Sequence, residues 1–277
     1  DVSDCLQWMY ERTASEANRD REVLMQGIEA DAKRFWESGA VTSWYQDSDS
    51  HVKRISESVN GPLLELLLNV SEHPDSECAN IFRNGAQLLG KLPVSGNGVL
   101  GNKKRKKQKM PNSLHDLWYT AGKENERILL RLREDDHAVA ILEQTRLDAR
   151  LGRMTEAFAY KGAWCDWLYS VRLSQRFGVE QGLKDDGSAK IRCVDSCTES
   201  GINPCTEASE QLSPDNLDGL AEIMRCCWCM FGGLPHILKV DVDSAFRRVP
   251  IAPRDRWAAH IAFKQAGITY IAGHLSM

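Results

Sequence analysis

Apolar positions recur at helical spacing through the first part of the chain. Between residues 16 and 36, Val23, Leu24, Ile28, Ala32 and Phe35 fall one to four residues apart, a single stripe of a 3.6-residue period that predicts a helix. Gly61-Pro62 opens Leu63-Leu-Glu-Leu-Leu-Leu-Asn-Val70, with Pro in the first turn where its missing N–H costs nothing, and His73-Pro74-Asp75 closes the segment. A further helical stretch, dense in Arg and Glu, runs from about 114 to 151 with Ser113 as its N-cap. From residue 174 the pattern changes to that of strands and turns. Residues 174–181 and the Asp185-Asp186-Gly187 turn lead into Ala189-Lys-Ile-Arg-Cys-Val-Asp195, a short strand. Ser213-Pro214-Asp215 starts one more helix through Leu217, Leu220, Ile223 and Met224. Residues 237–243 then alternate apolar and polar, a half-buried strand, and 257–263 and 268–272 are two more strands. Lys264-Gln-Ala-Gly267 joins that pair as a hairpin whose Gly can take a positive φ. Helices followed by strands with an intervening helix predict an α+β fold.

Composition narrows the picture. The 277 residues are 42% hydrophobic and 27% charged, enough for a buried core and unlike a disordered polyelectrolyte. No apolar run approaches the length of a spanning helix, since Glu65 interrupts the longest one. The nine cysteines are odd in number and irregularly spaced, which suits reduced thiols in an intracellular protein, nuclear or cytoplasmic, better than a disulfide framework. No secretory leader is visible, and a chain opening on Asp1 reads as a piece of something longer. With 35 Lys and Arg against 39 Asp and Glu the net charge is −4, so any polynucleotide contact must be local. One segment offers it: Lys103, Lys104, Arg105, Lys106, Lys107 and Lys109, inside a Gly- and Pro-flanked stretch that reads as a solvated linker.

Chemistry concentrates near the end. A strand over 237–243 puts Asp241 and Asp243 on one face, because successive side chains point to opposite sides. Such a pair is either a solvated edge or an oxygen site for a hard cation such as Mg²⁺. Cys193, Cys197 and Cys205, and the group Cys226, Cys227 and Cys229, lack the paired spacing of structural zinc and read as small hydrophobes in a core.

The acids continue into Lys239-Val-Asp-Val-Asp-Ser-Ala-Phe-Arg-Arg-Val-Pro-Ile251, which resembles the first palm motif of reverse transcriptases: an apolar strand, an Asp, three residues, Ala-aromatic, then a second strand ending in an apolar-Pro pair. Lys190-Ile-Arg-Cys-Val-Asp-Ser-Cys-Thr-Glu-Ser-Gly-Ile-Asn203 is similar to the fingers motif of that family, and Arg176-Phe-Gly-Val-Glu-Gln181 to the entry of the fingers in retroelement enzymes. The 257–272 hairpin and His274-Leu-Ser-Met277 sit where the family has strands leading into Pro-Phe-Gly. The resemblance covers about 170–277. It implies an amino-terminal fragment of a retrotransposon RNA-directed DNA polymerase, a nucleotidyltransferase using two Mg²⁺ ions, or Mn²⁺ in their place, on an RNA or DNA template-primer and deoxynucleotides. Asp241 would be the first catalytic carboxylate and metal ligand, with the Val242 carbonyl beside it. Arg192, and secondarily Lys190, would pair with the triphosphate. Phe246 would lie under the sugar and exclude a 2′-hydroxyl. On residue chemistry alone Phe246 reads as a core aromatic and Arg192 as a surface ion pair.

There are departures. Cys193 stands where Pro is usual and Ser196 where an acid is common. No Tyr-x-Asp-Asp is present, the Asp-Asp pairs being 135–136 and 185–186. The fragment alone is therefore expected to be inactive, and a non-catalytic relic serving as a nucleic-acid or protein scaffold stays open as the alternative. The implied organisation is a helical amino-terminal region over 1–95, a basic flexible linker over 96–112, a helical connector over 113–170 and a partial right-hand fingers/palm over 171–277.

Overall fold

A computed structural model describes residues 7–8, 11–96, 99–100, 113–162, 166–184, 186–211, 217–233, 242 and 244–277. The amino-terminal region is helical: α1 (Ala14–Glu37), α2 (Ala40–Trp44), α3 (Ser50–Ser56), α4 (Gly61–Val70) and α5 (Asn80–Asn84). Thr13 and Glu16 cap α1 reciprocally, each side chain taking the other residue's backbone N–H. Only part of the expected stripe on α1 is used. Phe35 packs on a core of Val41, Trp44, Tyr45, Leu68 and Ala79, whereas Val23 and Leu24 stand 64% and 63% exposed.

The helical stretch expected over 114–151 is three helices, α6 (Leu114–Tyr119), α7 (Ala121–Arg131) and α8 (Ala138–Arg150). Ser113 caps the first with Asp116 closing the box. The break after α7 has a cause: Asp135 accepts the His137 N–H and Glu134 is drawn to another element.

Short pairs tie distant segments together. β1 (Gly90–Lys91) runs parallel to β6 (Thr206–Glu207), and β2 (Val99–Leu100) antiparallel to β7 (Glu210–Gln211). The expected linker is thus held at Val99 and Leu100, while its six cations lie outside the described residues. Gly85 at φ 84 lets the chain after α5 cross the 250–252 segment so closely that a Cβ there would overlap the Ala252 backbone. Ala86 N–H then donates to Pro250, and Ala252 N–H to Ala86.

The main sheet has the order β3 (Phe158–Tyr160), β9 (Ile268–Gly273), β8 (His260–Gln265), β4 (Leu173–Leu183), β5 (Ala189–Asp195). Its neighbours are antiparallel except β4 and β8, which are parallel, so the expectation of antiparallel strands fails at that one seam. α7 covers one face through Ile128 and Leu132 over Leu173, Ala262 and Ile271. α8 covers the other through Ile141 and Leu142 over Ile261, Phe263 and Ala272. Residues of β8 alternate between these two cores, as period-two geometry requires. The fold is α+β, helices with a mixed sheet. α9 (Leu217–Phe231) follows β7, and no described helix is long and apolar enough to cross a membrane.

Three expectations shift here. The strand foreseen from 257 begins at His260, because Pro253–Ala258 forms a 3₁₀ turn. The strand foreseen after Ala-aromatic is replaced by a 3₁₀ turn, Ala245–Arg248. The strand over 237–243 lies outside the described residues except for Val242.

The β8–β9 turn carries local strain. Gly267 takes φ 75 as expected, but Ala266 also takes a left-handed φ of 50. A Cβ there crowds the backbone at a cost of about 1–2 kcal/mol, which Asn tolerates far better than Ala. The Glu134 carboxylate offsets this by accepting both turn N–H groups, at 2.6 Å from Ala266 and 3.1 Å from Gly267. Ala266→Asn should therefore stabilise the chain by about 1 kcal/mol and raise Tm by about 2–4 °C in calorimetry. An unchanged or lowered Tm would show that the turn is not strained.

Candidate functional site

A cleft of about 900 Å³ is lined from α8, β4, β5, β8 and the Ala245–Arg248 turn, within the usual range for a small-molecule site. Lys190, Arg192 and Phe246 all line it. Residues 190 and 192 are successive outward positions of β5, both exposed, as the strand alternation dictates. Among the described residues neither cation has an ion-pair partner, so Arg192 is not the surface ion pair its chemistry suggested. Phe246 is 74% exposed, not a core aromatic. It stands on the Ala245–Arg248 turn, which Ser244 starts from a left-handed φ of 54.

Val242 is described and 59% exposed. Asp241, Asp243 and the cations Lys103, Lys104, Arg105, Lys106, Lys107 and Lys109 lie outside the described residues.

Behind the cleft is a buried charge network that sequence reasoning missed. Arg176 of β4 and Asp195 of β5 are direct cross-strand partners. Arg176 is 1% exposed; its Nε and Nη2 donate to the two Asp195 oxygens at 2.7 and 2.9 Å, a bidentate pair, and its Nη1 donates to Thr145 Oγ1 of α8 at 3.0 Å. His274, just past β9, fills the remaining side. Its Nε2 lies 2.8 Å from Asp195 Oδ2 and its Nδ1 3.0 Å from Arg247 Nη1. Arg247 is always protonated and can only donate, so Nδ1 accepts and Nε2–H donates to Asp195: a neutral imidazole of one tautomer. Arg176 Nη2, 2.9 Å from the same Nε2, is a donor facing a donor, and its proton is directed at Asp195. Arg247 Nη2 and Arg153 Nη1 reach the buried Asp148 carboxylate of α8 at 3.7 and 3.9 Å.

The electrostatics follow from these contacts. Burial by itself would raise the Asp195 carboxyl, but the charge and hydrogen bonds of Arg176, helped by His274, hold it well below the usual carboxylate range. Burial lowers His274, and Asp195 only partly opposes this. His260, which also lines the cleft, is pushed down to about 4 by burial; the nearby Trp257 and Arg256 backbone favours its charged form but leaves Nδ1 outside hydrogen-bond geometry, so burial decides. The Cys193 and Cys197 thiols, both lining the cleft, are raised by burial.

Asp195 is the one described carboxylate lining the cleft, and it is occupied by Arg176 and His274. Among the described residues no group of three His, Cys, Asp or Glu side chains could hold a metal. The expected Mg²⁺ ligand Asp241 lies outside the described part of the cleft. What that part offers is two unpaired cations on one wall and an exposed aromatic on the other, suited to an anion joined to a flat or cyclic group. No protein-family model, curated protein or solved structure matches the chain.

Proposed function

We propose that the chain is the amino-terminal part of a retroelement RNA-directed DNA polymerase, with β4 and β5 as its fingers hairpin and the cleft as the seat of the incoming deoxynucleoside triphosphate. One observation carries the reading. Two motifs far apart in sequence were singled out by the resemblance, and Lys190 and Arg192 of one share a cleft with Phe246 of the other. In this role the two cations bind the triphosphate, Arg192 by its planar fork. Phe246 packs against the sugar and disfavours a 2′-hydroxyl. Mg²⁺ binding by Asp241 and the Val242 carbonyl, and template contact through the six linker cations, belong to the same reading. The scaffold alternative is favoured by the sealing of Asp195, which leaves the cleft's described wall without a free carboxylate.

Equilibrium titration with a fluorescent deoxynucleoside triphosphate tests the proposal. A charge-assisted hydrogen bond is worth about 1.5–3 kcal/mol, so Arg192→Ala should weaken binding by about tenfold or more. Phe246→Ala should retain most deoxynucleotide affinity while narrowing the preference over the ribonucleotide. Binding that is absent, or indifferent to both changes, supports the scaffold and sinks the polymerase reading.

A further inference from the structure

The Ala245–Arg248 turn presents successive residues to different tasks. Phe246 faces the cleft, and Arg247 turns inward onto His274. On the opposite wall β5 does the same: Arg192 is exposed, and Asp195 at the strand's end faces inward onto the same imidazole. The two walls therefore meet through one ring. We propose that His274 is a positioning residue of the cleft: as the neutral, Nε2-protonated tautomer it couples Asp195 of β5 to Arg247 of the Phe246 turn, and so fixes the separation between the Arg192 wall and the Phe246 wall.

The chemistry of the surroundings supports this role. An imidazole reaches both walls because its two nitrogens lie on opposite edges, one donating and one accepting. The groups facing it are Asp195 of β5, Arg176 of β4, Arg247 of the turn and, at the start of β8, His260. Asp148 of α8 faces Arg247 from behind. Protonation of His274 would abolish the Nδ1 acceptor and set a third cation between Arg176 and Arg247. The Arg247 end of the bridge would then release, while Asp195 stays held by Arg176. Two amides report on the turn: Val249 N–H donates to Phe246 at 3.1 Å and Met277 N–H to Val249 at 2.9 Å. Loss of the bridge should therefore loosen one wall and leave the sheet intact.

The inference rests on the nucleotide reading only for what the cleft holds, so the test has two arms. Native-state hydrogen exchange reads the walls directly. His274→Leu should speed exchange of the Val249 and Met277 amides by about tenfold or more, with the β8–β9 ladder unchanged. His274→Gln, whose amide also carries a donor and an acceptor, should restore protection. Should the Leu variant fail to fold, Arg247→Met severs the other end of the bridge and, although it also removes the 3.7 Å approach to Asp148, which keeps Arg153 nearby, should free the same Val249 and Met277 amides. The second arm titrates the fluorescent triphosphate between pH 8 and 5. Wild type should lose affinity relative to His274→Gln toward acid, because only wild type carries a group that protonates at that position. Exchange unchanged at Val249, a general loosening that includes β8–β9, or Gln behaving as Leu would each overturn the positioning role. A wild-type chain that takes up no triphosphate removes the nucleotide reading, and the exchange arm then decides the positioning role alone.

Discussion

Asp195→Asn should destabilise the chain by about 3–5 kcal/mol, the usual cost of leaving a buried charge without its partner. The reason lies in Arg176, whose guanidinium is 1% exposed and cannot shed its proton. With Asp195 neutral it keeps one weak acceptor in place of two charged ones. His274 loses the carboxylate that orients it, so the effect extends to Arg247. Arg176→Met removes the other partner and strands a 19%-exposed carboxylate, which can escape part of the penalty by protonating. Its expected cost is smaller for that reason. Because both changes break the same pair, the double variant should be less destabilised than the sum of the two by about 1–3 kcal/mol. Urea unfolding of the four proteins measures this. Additive costs, or a loss below about 1 kcal/mol for Asp195→Asn, would mean that the pair is not the buried bidentate contact described above.

Much of the architecture is legible in the sequence, and the parts that are not share a physical cause. Local signals were sufficient where structure is local. The strand Ala189–Asp195, the Ser113 cap and the helix opened by Gly61-Pro62 all appear where turn and capping chemistry put them. Helix breaks inside charged sequence were not legible, because Glu134 leaves the helical pattern to bind a turn that the sequence does not place beside it. The parallel seam between β4 and β8 was hidden for the same reason, being set by tertiary packing. In the cleft, Lys190, Arg192 and Phe246 were named from motif and come together. The network behind them was not named, although one signal was available: Ser174 and Arg176 share a strand face, and an acid, Asp195, ends the strand that pairs with it in a hairpin. A cation on the inward phase opposite an acid is a candidate buried pair. His274 carried no such signal, since its partners lie on strands and a turn distant in sequence.

The chain should lose stability steadily as pH falls from 6.5 toward 4, by up to about 3 kcal/mol from His260 alone. The sign follows from the direction of its shift. His260 titrates at about 4 in the folded chain against an ordinary value of 6.5, so between those limits the unfolded chain binds the extra proton and acid favours unfolding. His274 is displaced the same way by burial and adds to the slope. Asp195 does not contribute in this window. Its carboxyl is held low, so the stability it supplies is fully present above the ordinary carboxylate value of 3.8 and is lost only below it. His260 is a clean position at which to separate these effects. Its ring packs edge-on against Trp167 at 5.4 Å between centroids, and across the β8–β9 ladder it faces Gly273, whose missing side chain leaves room for it. His260→Phe keeps the ring in that space and removes the titrating nitrogens. Urea unfolding between pH 7.5 and 4.5 should therefore show a shallower acid limb for the variant than for wild type, the residual slope belonging to His274. A wild-type stability that is flat across this range, or a slope the Phe variant leaves untouched, would show that neither imidazole is held neutral by its burial.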